Sequence, residues 1–243
     1  MKIAAIIQAR MGSTRLPGKV FVDLEGEPML VRVVNRVERA AALDLVIVAT
    51  TVEPADDQIA EFCVARGWPC FRGSQNDVLD RYYNAAVAHE VDAVVRITSD
   101  CPLIEPVIID RVVERYRINQ TEIDYVTNSR LTPLTFPRGL DTELMSFEIL
   151  KRTWTEAKEP SEREHVTLYI YKHPEIFNIN KLDNDVDYSY MRWAIDTKED
   201  LEFVRNIYRY FGHDRFSFQQ VLAVLEQHPE WLEINKHVRQ KEV

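Results

Sequence analysis

The chain has 243 residues, of which 46% are hydrophobic and 28% are charged, and its formal net charge is −9. The three cysteines lack CxxC spacing, no apolar run is as long as a membrane span, and the acidic balance is the wrong sign for binding duplex nucleic acid. These features argue against a disulfide framework, a zinc finger and a membrane protein. We expect one cytoplasmic domain over residues 1–243, with no nucleic-acid or membrane partner.

The first half of the chain alternates short apolar runs with amphipathic segments. The pattern predicts strands at residues 3–9, 45–50, 69–71 and 93–98, and helices at residues 29–42, 54–66, 78–90 and 106–117. Strands that alternate with helices of this length are typical of an α/β fold, in which a parallel sheet carries helices on both faces.

After about residue 120 the alternation becomes less regular. Strands are predicted at residues 124–128, 142–145, 176–182 and 191–195, and helices at residues 146–156, 161–172, 198–211 and 217–228. No internal repeat or linker separates the two halves. We therefore predict one mostly parallel α/β domain with a small insertion in its second half.

A cationic loop with two glycines, QARMGSTRLPGK, follows the first predicted strand at residues 8–19. Open α/β sheets bind ligands at the carboxyl ends of their strands, so this loop is a candidate site. Backbone N–H groups in such loops form anion-binding nests, and arginine and lysine add charge-assisted hydrogen bonds to phosphate. Neither GxxxxGK[ST] nor GxGxxG is present. The loop predicts a polyphosphate site, against the alternative of a solvated connection.

Six segments, in order along the chain, resemble one family: IIQARMGSTRLPGK, FRGSQNDVLDRYYNAA, RITSDCPLIEP, FPRGLDTE, EREHVTLYI and RWAIDTKEDLEFVR. They resemble the CMP-sugar synthetases, including 3-deoxy-manno-octulosonate and acylneuraminate cytidylyltransferases, and most closely the SpsF-like cytidylyltransferases of spore coat polysaccharide biosynthesis. The resemblance implies a three-layer, Rossmann-like nucleotidyltransferase fold of the glycosyltransferase-A type. It also implies transfer of CMP from CTP to an acceptor, release of pyrophosphate, Mg²⁺ as cofactor and a homodimer.

Two aspartates follow predicted strands at the expected ligand-binding edge of the sheet. Asp100 comes after the strand at residues 93–98, and Asp196 comes directly after the segment at residues 191–195. Carboxylates at such positions point into the cleft, where Mg²⁺ can bridge them to phosphate. The resemblance implies that both bind the metal. The alternative is that each only caps a turn or a helix, as we expect of Asp200 in a capping box.

The resemblance also implies which residues hold the two substrates. The nucleotide-binding set is Ala9, Arg10, Gly12, Ser13, Arg15, Lys19, Gly73, Ser74, Asp77 and Arg81. Arg15, Lys19 and Asp100 are the expected catalytic residues. Arg138, Arg163 and His165 are expected to border the acceptor pocket. The alternatives here are that Asp77 caps a helix, that Arg81 lies on a solvated face, and that the acceptor set is structural.

The sequence thus predicts a CTP-dependent cytidylyltransferase that acts on a small anionic acceptor, such as a sugar acid, in surface polysaccharide synthesis. One alternative is another nucleotidyltransferase, acting on a sugar phosphate or a phosphonate. A second alternative is a non-catalytic nucleotide-binding module. The apolar helices near residues 201–225 are a candidate surface for the homodimer.

Overall fold

The computed structural model describes residues 1–239. Its strands are β1 (Ile3–Gln8), β2 (Leu45–Thr51), β3 (Cys70–Gly73), β4 (Ala93–Thr98), β5 (Tyr125–Thr127), β6 (Glu143–Ser146) and β7 (Ile179–Lys181). They form one sheet in the order β3-β2-β1-β4-β6-β5-β7. β6 runs antiparallel to both of its neighbours, while the remaining pairs are parallel. The predicted mostly parallel α/β sheet is confirmed.

The helices are α1 (Met29–Val37), α2 (Asp57–Arg66), α3 (Val78–Ala88), α4 (Pro106–Ile118), α5 (Phe147–Glu156), α6 (Pro160–Glu164), α7 (Leu168–Lys172), α8 (Lys198–Phe211), α9 (Phe218–Gln227) and α10 (Trp231–Asn235). Within residues 1–239, no helix combines the length and the apolarity that crossing a bilayer requires.

The helices cover both faces of the sheet because the strand side chains alternate between two cores. In β1, Ile3, Ala5 and Ile7 belong to one buried cluster, whereas Ala4 and Ile6 belong to the other. The first cluster includes buried side chains of α1, α2, α4, α8 and α9, and the second includes those of α3, α5 and α7. Two-sided burial explains why the central strands are continuous apolar runs. The result is the predicted three-layer arrangement.

Residues 191–195 were predicted as a strand, and this prediction is wrong. The segment makes only an isolated bridge, between Arg192 and Arg138. In that bridge Arg138 N–H donates to the Met191 carbonyl at 3.0 Å and Trp193 N–H donates to the Arg138 carbonyl at 2.6 Å. Beyond it, Ile195 N–H donates to the Asp100 carbonyl, in the loop after β4, at 2.8 Å. Trp193 and Ile195 are fully buried all the same, which accounts for the strand-like apolar pattern.

The single helix predicted at residues 161–172 is divided into α6 and α7. Val166, between them, has a φ of 42°, which a continuing right-handed helix does not allow. Helix α1 also ends at Val37, earlier than the pattern indicated. The other predicted elements form within a few residues of their expected bounds.

Gly139 allows the bridge between Arg138 and Arg192 to form. Its φ is 108°, and a Cβ atom there would lie 2.6 Å from the backbone nitrogen of Ala194. Only glycine combines this backbone conformation with so close an approach of two chain segments. The contact holds the loop before β6 against the segment that leads to Asp196.

Replacing Gly139 with alanine should therefore destabilise the fold. We expect a loss of roughly 1–3 kcal/mol from backbone strain alone, with the steric clash added to it. Gly67→Ala is the matched control, since Gly67 has a φ of 69° and no heavy atom within 4 Å of an added Cβ. Thermal unfolding of both variants measures the difference. Equal losses of stability would contradict the argument from close approach.

Candidate active site

A cleft of about 380 Å³ opens at the carboxyl ends of β1 and β4. Its lining includes Ala9, Arg10, Gly12, Ser13, Arg15 and Lys19 from the loop after β1. Asp100, beyond the end of β4, and Asp196, before α8, line the same cleft. The structure therefore brings together the loop and the two aspartates, which are distant in sequence.

The loop after β1 is held by hydrogen bonds at its base. Ala9 N–H donates to the Ala49 carbonyl at 3.1 Å, and Met11 N–H donates to Asp56 Oδ1 at 2.7 Å. The Met11 carbonyl accepts from the N–H groups of Ser13, at 2.8 Å, and Gly18, at 3.2 Å. These bonds fix the curve of the loop and place its cationic side chains beside the cleft.

Lys19 forms the electrostatic centre of the cleft. Its Nζ donates to Asp100 Oδ2 at 3.0 Å, to Asp196 Oδ1 at 2.8 Å and to the Ile195 carbonyl at 2.9 Å. The Lys19 side chain is only 12% exposed. One ammonium group thus joins the three segments that form the site.

Opposing effects set the protonation of this centre. Burial acts to lower the pKa of Lys19, but the carboxylates of Asp100 and Asp196 outweigh it, so the pKa lies above its ordinary value. Burial acts to raise the pKa of Asp100, whereas Lys19 and the Thr98 hydroxyl hold that pKa well below its usual range. At neutral pH the centre therefore holds the Lys19 ammonium and the ionised carboxylate of Asp100.

Two arginines also hold the carboxylate of Asp196 in its orientation. Arg15 Nη2 lies 2.9 Å and Arg192 Nη2 lies 2.6 Å from Asp196 Oδ2. Arg192 is itself fixed by Asp200, which lies 2.9 Å from its Nε and accepts a 3.0 Å hydrogen bond from Asn235. Asp200 is fully buried and forms a capping box at the start of α8, as predicted. The carboxylate of Asp196 is consequently held in one position.

Asp100 and Asp196 fit a divalent cation. Both carboxylates already share one cationic group, and carboxylate oxygens are the ligands that Mg²⁺ and Mn²⁺ take. Within residues 1–239 no cluster of three or more histidine, cysteine, aspartate or glutamate side chains is placed to hold a metal. A cation here would take its remaining ligands from water and from a bound polyphosphate, which is how Mg²⁺ is held at phosphate-transfer sites.

Of the nucleotide-binding residues predicted at 73–81, Arg81 lines the cleft, whereas Gly73, Ser74 and Asp77 do not. Arg81 lines the cleft and is only 2% exposed, so it does not lie on a solvated face. Burial lowers the pKa of Arg81, and the nearby Arg10 guanidinium adds to this effect. A Cβ atom on Gly73 would lie 3.1 Å from Arg81 Cγ, so glycine lets the arginine pack closely. Ser74 accepts from Arg81 Nη1 through its carbonyl at 3.0 Å.

Asp77 and Arg163 form an ion pair with each other outside the cleft lining. Asp77 caps α3 by accepting from Asp80 N–H at 2.8 Å, and its Oδ2 lies 2.6 Å from Arg163 Nη2. Arg163 also donates to the Trp154 carbonyl at 2.6 Å. The alternative expected for Asp77, a helix cap, is what the structure shows. Arg163, predicted to contact the acceptor, is engaged in holding α3 to α6.

Arg138 and His165 do line the cleft. Sequence reasoning did not name several other residues that line the cleft: Gln8, Arg96, Arg130, Asp141 and Glu164. Arg96 carried a signal that went unused, since a charged residue inside the otherwise apolar strand AVVRIT demands a specific partner. Nothing in the local pattern distinguishes Arg130 or Asp141 from ordinary loop residues.

Because Lys19 lies between the two aspartates, it competes with a metal ion for them. Lys19→Met should tighten Mn²⁺ binding in the absence of nucleotide by about 10–100-fold, since charge-assisted hydrogen bonds of about 1.5–3 kcal/mol no longer have to be displaced. Calorimetric titration with Mn²⁺ measures this, with the exposed Lys198→Met as the control. Unchanged or weaker Mn²⁺ binding by Lys19→Met would show that the ammonium and the metal do not share this site.

Comparison with known proteins identifies the family to which this chain belongs. Residues 4–236 match the cytidylyltransferase family. An uncharacterised protein of Methanocaldococcus jannaschii is 38% identical to this chain, and the match covers 99% of this chain and 97% of that protein. The spore coat polysaccharide biosynthesis protein SpsF of Bacillus subtilis is 32% identical over 94% of this chain and 95% of its own.

A solved structure agrees with these sequence matches. A cytidylyltransferase from Leptospira borgpetersenii superposes with a TM-score of 0.92 at 34% identity, covering 100% of both chains. The nucleotidyltransferase fold, the cleft at the carboxyl edge of the sheet and the family match over nearly the whole chain lead to one conclusion. The chain belongs to the cytidylyltransferase family and is a nucleotidyltransferase enzyme.

Proposed function

We propose that this enzyme transfers CMP from CTP to a small hydroxy acid, such as a sugar acid, and releases pyrophosphate. The observation that carries the proposal is the Lys19 ammonium, which lies between Asp100 and Asp196 at the base of a cationic loop. That arrangement combines a polyphosphate site with a carboxylate pair suited to a divalent cation.

The loop after β1 would hold the triphosphate. Arg10, Arg15 and Lys19 supply positive charge, and the backbone at Gly12 supplies an N–H donor. An added Cβ on Gly12 would meet no protein atom within 4 Å, which leaves that space for a ligand. Phosphoryl transfer depends mainly on positioning and charge stabilisation, so Arg15 and Lys19 act by neutralising the phosphates as negative charge shifts to the leaving group.

Asp100 and Asp196 would hold the divalent cation, which we propose to be Mg²⁺ in the cell. When bound, it acts as a Lewis acid that withdraws charge from the phosphate oxygens. The hydroxyl oxygen of the acceptor attacks the α-phosphorus and gives up its proton to the solvent. The bond from the α-phosphorus to the α,β-bridging oxygen breaks, and pyrophosphate leaves with that oxygen. Arg15 and Arg192 keep the Asp196 carboxylate in place throughout.

We assign different residues of the cleft lining to the two substrates. Ala9 and Arg81 would border the nucleoside, with Arg81 held by its close packing on Gly73 and its hydrogen bond to the Ser74 carbonyl. Arg138 and His165 would border the acceptor. The Asp77–Arg163 pair would act indirectly, by holding α3 and α6 on either side of the cleft.

Two further proposals concern context. The name of the Bacillus relative supports a place in surface polysaccharide synthesis. The family resemblance supports a homodimer, although the apolar side chains of α8 and α9, such as Phe203, Ile207 and Val221, are already buried in the monomer. A dimer surface would therefore lie elsewhere than on those apolar faces.

The donor nucleotide is tested by thermal unfolding with each of the four nucleoside triphosphates and Mg²⁺. Of the four nucleotides, we expect only CTP to stabilise the protein, by about 2.7 kcal/mol at 100 times its Kd. Pyrophosphate release is then measured with CTP and 3-deoxy-manno-octulosonate or N-acetylneuraminate as acceptor. Preference for another nucleotide would indicate a different nucleotidyltransferase. If CTP binds but no hydroxy acid causes it to release pyrophosphate, the proposed reaction is contradicted.

Asp100→Ala and Lys19→Ala should each lower kcat by about 10²–10³-fold, because losing one well-placed charge stabiliser typically has that effect. Steady-state pyrophosphate release measures the change. Glu226→Ala, on the exposed face of α9, is the control and should keep wild-type turnover. Near-normal turnover by folded Asp100→Ala or Lys19→Ala protein would remove these residues from the mechanism.

A further inference from the structure

The face of the sheet that packs against α3 and α5 changes from apolar to ionic at its carboxyl edge. In β4, Val94 belongs to the core on this face, and Arg96, two residues on, points the same way. In β6, Met145 belongs to that core, and Glu143 shares its face. Arg96 and Glu143 are direct partners in the antiparallel register. The core therefore ends in an ion pair at the floor of the cleft.

Glu143 is the hub of this floor, and it is only 1% exposed. Its Oε1 accepts from Arg96 Nη1 at 2.5 Å and from Arg130 Nε at 3.0 Å. Its Oε2 accepts from Tyr125 Oη at 2.6 Å and from the Thr167 hydroxyl. Four donors from β4, β5 and two loops converge on one carboxylate, so its position fixes theirs.

The charges are not balanced within this cluster. Burial acts to raise the pKa of Glu143, but Arg130 and Arg96 hold it well below its usual range, so the carboxylate is ionised. Arginine remains protonated throughout the accessible pH range. Within the hydrogen-bonded cluster two guanidinium groups therefore face one carboxylate, and Asp141 is a further acidic group close enough to act on Arg130.

The donors of Arg96 are also in excess. Nη1 donates to Glu143 and Nη2 donates to Gln8 at 3.2 Å, whereas Nε is buried with no partner in the part of the chain that the structure describes. A guanidinium has five N–H donors. A purely structural ion pair has no need of a second arginine, and apolar residues at such a place are often at least as stable. Arg96 and Arg130 both line the cleft.

The surroundings suit a polyhydroxylated ligand with one negative charge. Asp141 and Glu164 also line the cleft, and Asp141 is close enough to act on Arg130. Carboxylates accept hydrogen bonds from ligand hydroxyls and repel a dianionic group, so they favour a carboxylate over a phosphate at the arginine pair.

We propose that Arg96 and Arg130 bind the carboxylate of the acceptor, and that Glu143 is a positioning residue which aligns the two guanidinium groups. This inference rests on the proposed function, since it assigns acceptor-binding residues in the same cleft. It places the anion on the sheet floor, in addition to the contacts assigned to Arg138 and His165. It also defines the acceptor class as a polyhydroxy monocarboxylate.

The test uses small probes and the CTP-bound full-length protein. D-Gluconate, neutral D-glucitol and D-glucitol 6-phosphate share a polyol chain and differ in the anionic group. The side-chain Nε–H signals of Arg96 and Arg130 are followed by NMR in protein labelled with ¹⁵N-arginine, and the signals are assigned by substitution. We expect D-gluconate to shift both signals saturably, with a Kd at least about tenfold lower than that of D-glucitol, equal to roughly 1.4 kcal/mol. D-Glucitol 6-phosphate should bind no tighter than D-gluconate.

Variants separate positioning from folding. Glu143→Gln and Arg130→Met should each raise the Kd for D-gluconate at least about fivefold, while the Kd for CTP changes less than about twofold. The control is Arg209→Met, at an exposed position of α8, which should change neither Kd. Arg130 is partly exposed, so its variant remains informative if Glu143→Gln does not fold. No saturable shift with D-gluconate, tighter binding of D-glucitol 6-phosphate, or unchanged affinity in Arg130→Met would overturn the inference. Failure of CTP to bind would instead contradict the proposed function.

Discussion

The shared hydrogen bonding of Lys19 to Asp100 and Asp196 is the constraint on which the site depends. The three residues come from the loop after β1, the end of β4 and the start of α8, and each is at least partly withdrawn from water. Removing charged partners from a poorly solvated carboxylate is costly, so the contacts of Lys19 favour keeping the three segments together. Supports such as Asp56 under the loop and Asp200 under Arg192 then hold the segments that this centre joins.

The same sheet forms the hydrophobic cores and the floor of the cleft, because strands such as β1 and β4 are apolar for most of their length and polar where they reach the cleft. Apolar residues alternate between two cores, and polar residues replace them where the strands end in the cleft. Gln8, Arg96, Thr98 and Glu143 all continue the face that Ala4, Val94 and Met145 begin. Paired strands thus hold Gln8, Arg96, Thr98 and Glu143 in place, and Arg130 joins them from the loop after β5.

Much of this was predictable from sequence. The loop at residues 8–19 and Asp100 follow from where parallel strands end. Asp196 lies in the same cleft, although the strand predicted directly before it does not form. The Asp77–Arg163 pair was not foreseen, because a contact between residues 86 apart depends on how α3 and α6 pack. The strand predicted at 191–195 failed because burial by loops gives the same apolar pattern as burial in a sheet. The Arg96–Glu143 partnership depends on β6 pairing antiparallel to β4, which no local pattern specifies.

The central claim is that Lys19 and a divalent cation use the same pair of carboxylates. A crystal structure with Mn²⁺ and CTP, measured at the manganese absorption edge, tests it most directly. The account predicts an anomalous peak within coordination distance, about 2.0–2.6 Å, of both Asp100 and Asp196, with Lys19 Nζ moved onto the phosphates. A peak remote from either aspartate, or an unmoved Lys19 between them, would contradict it.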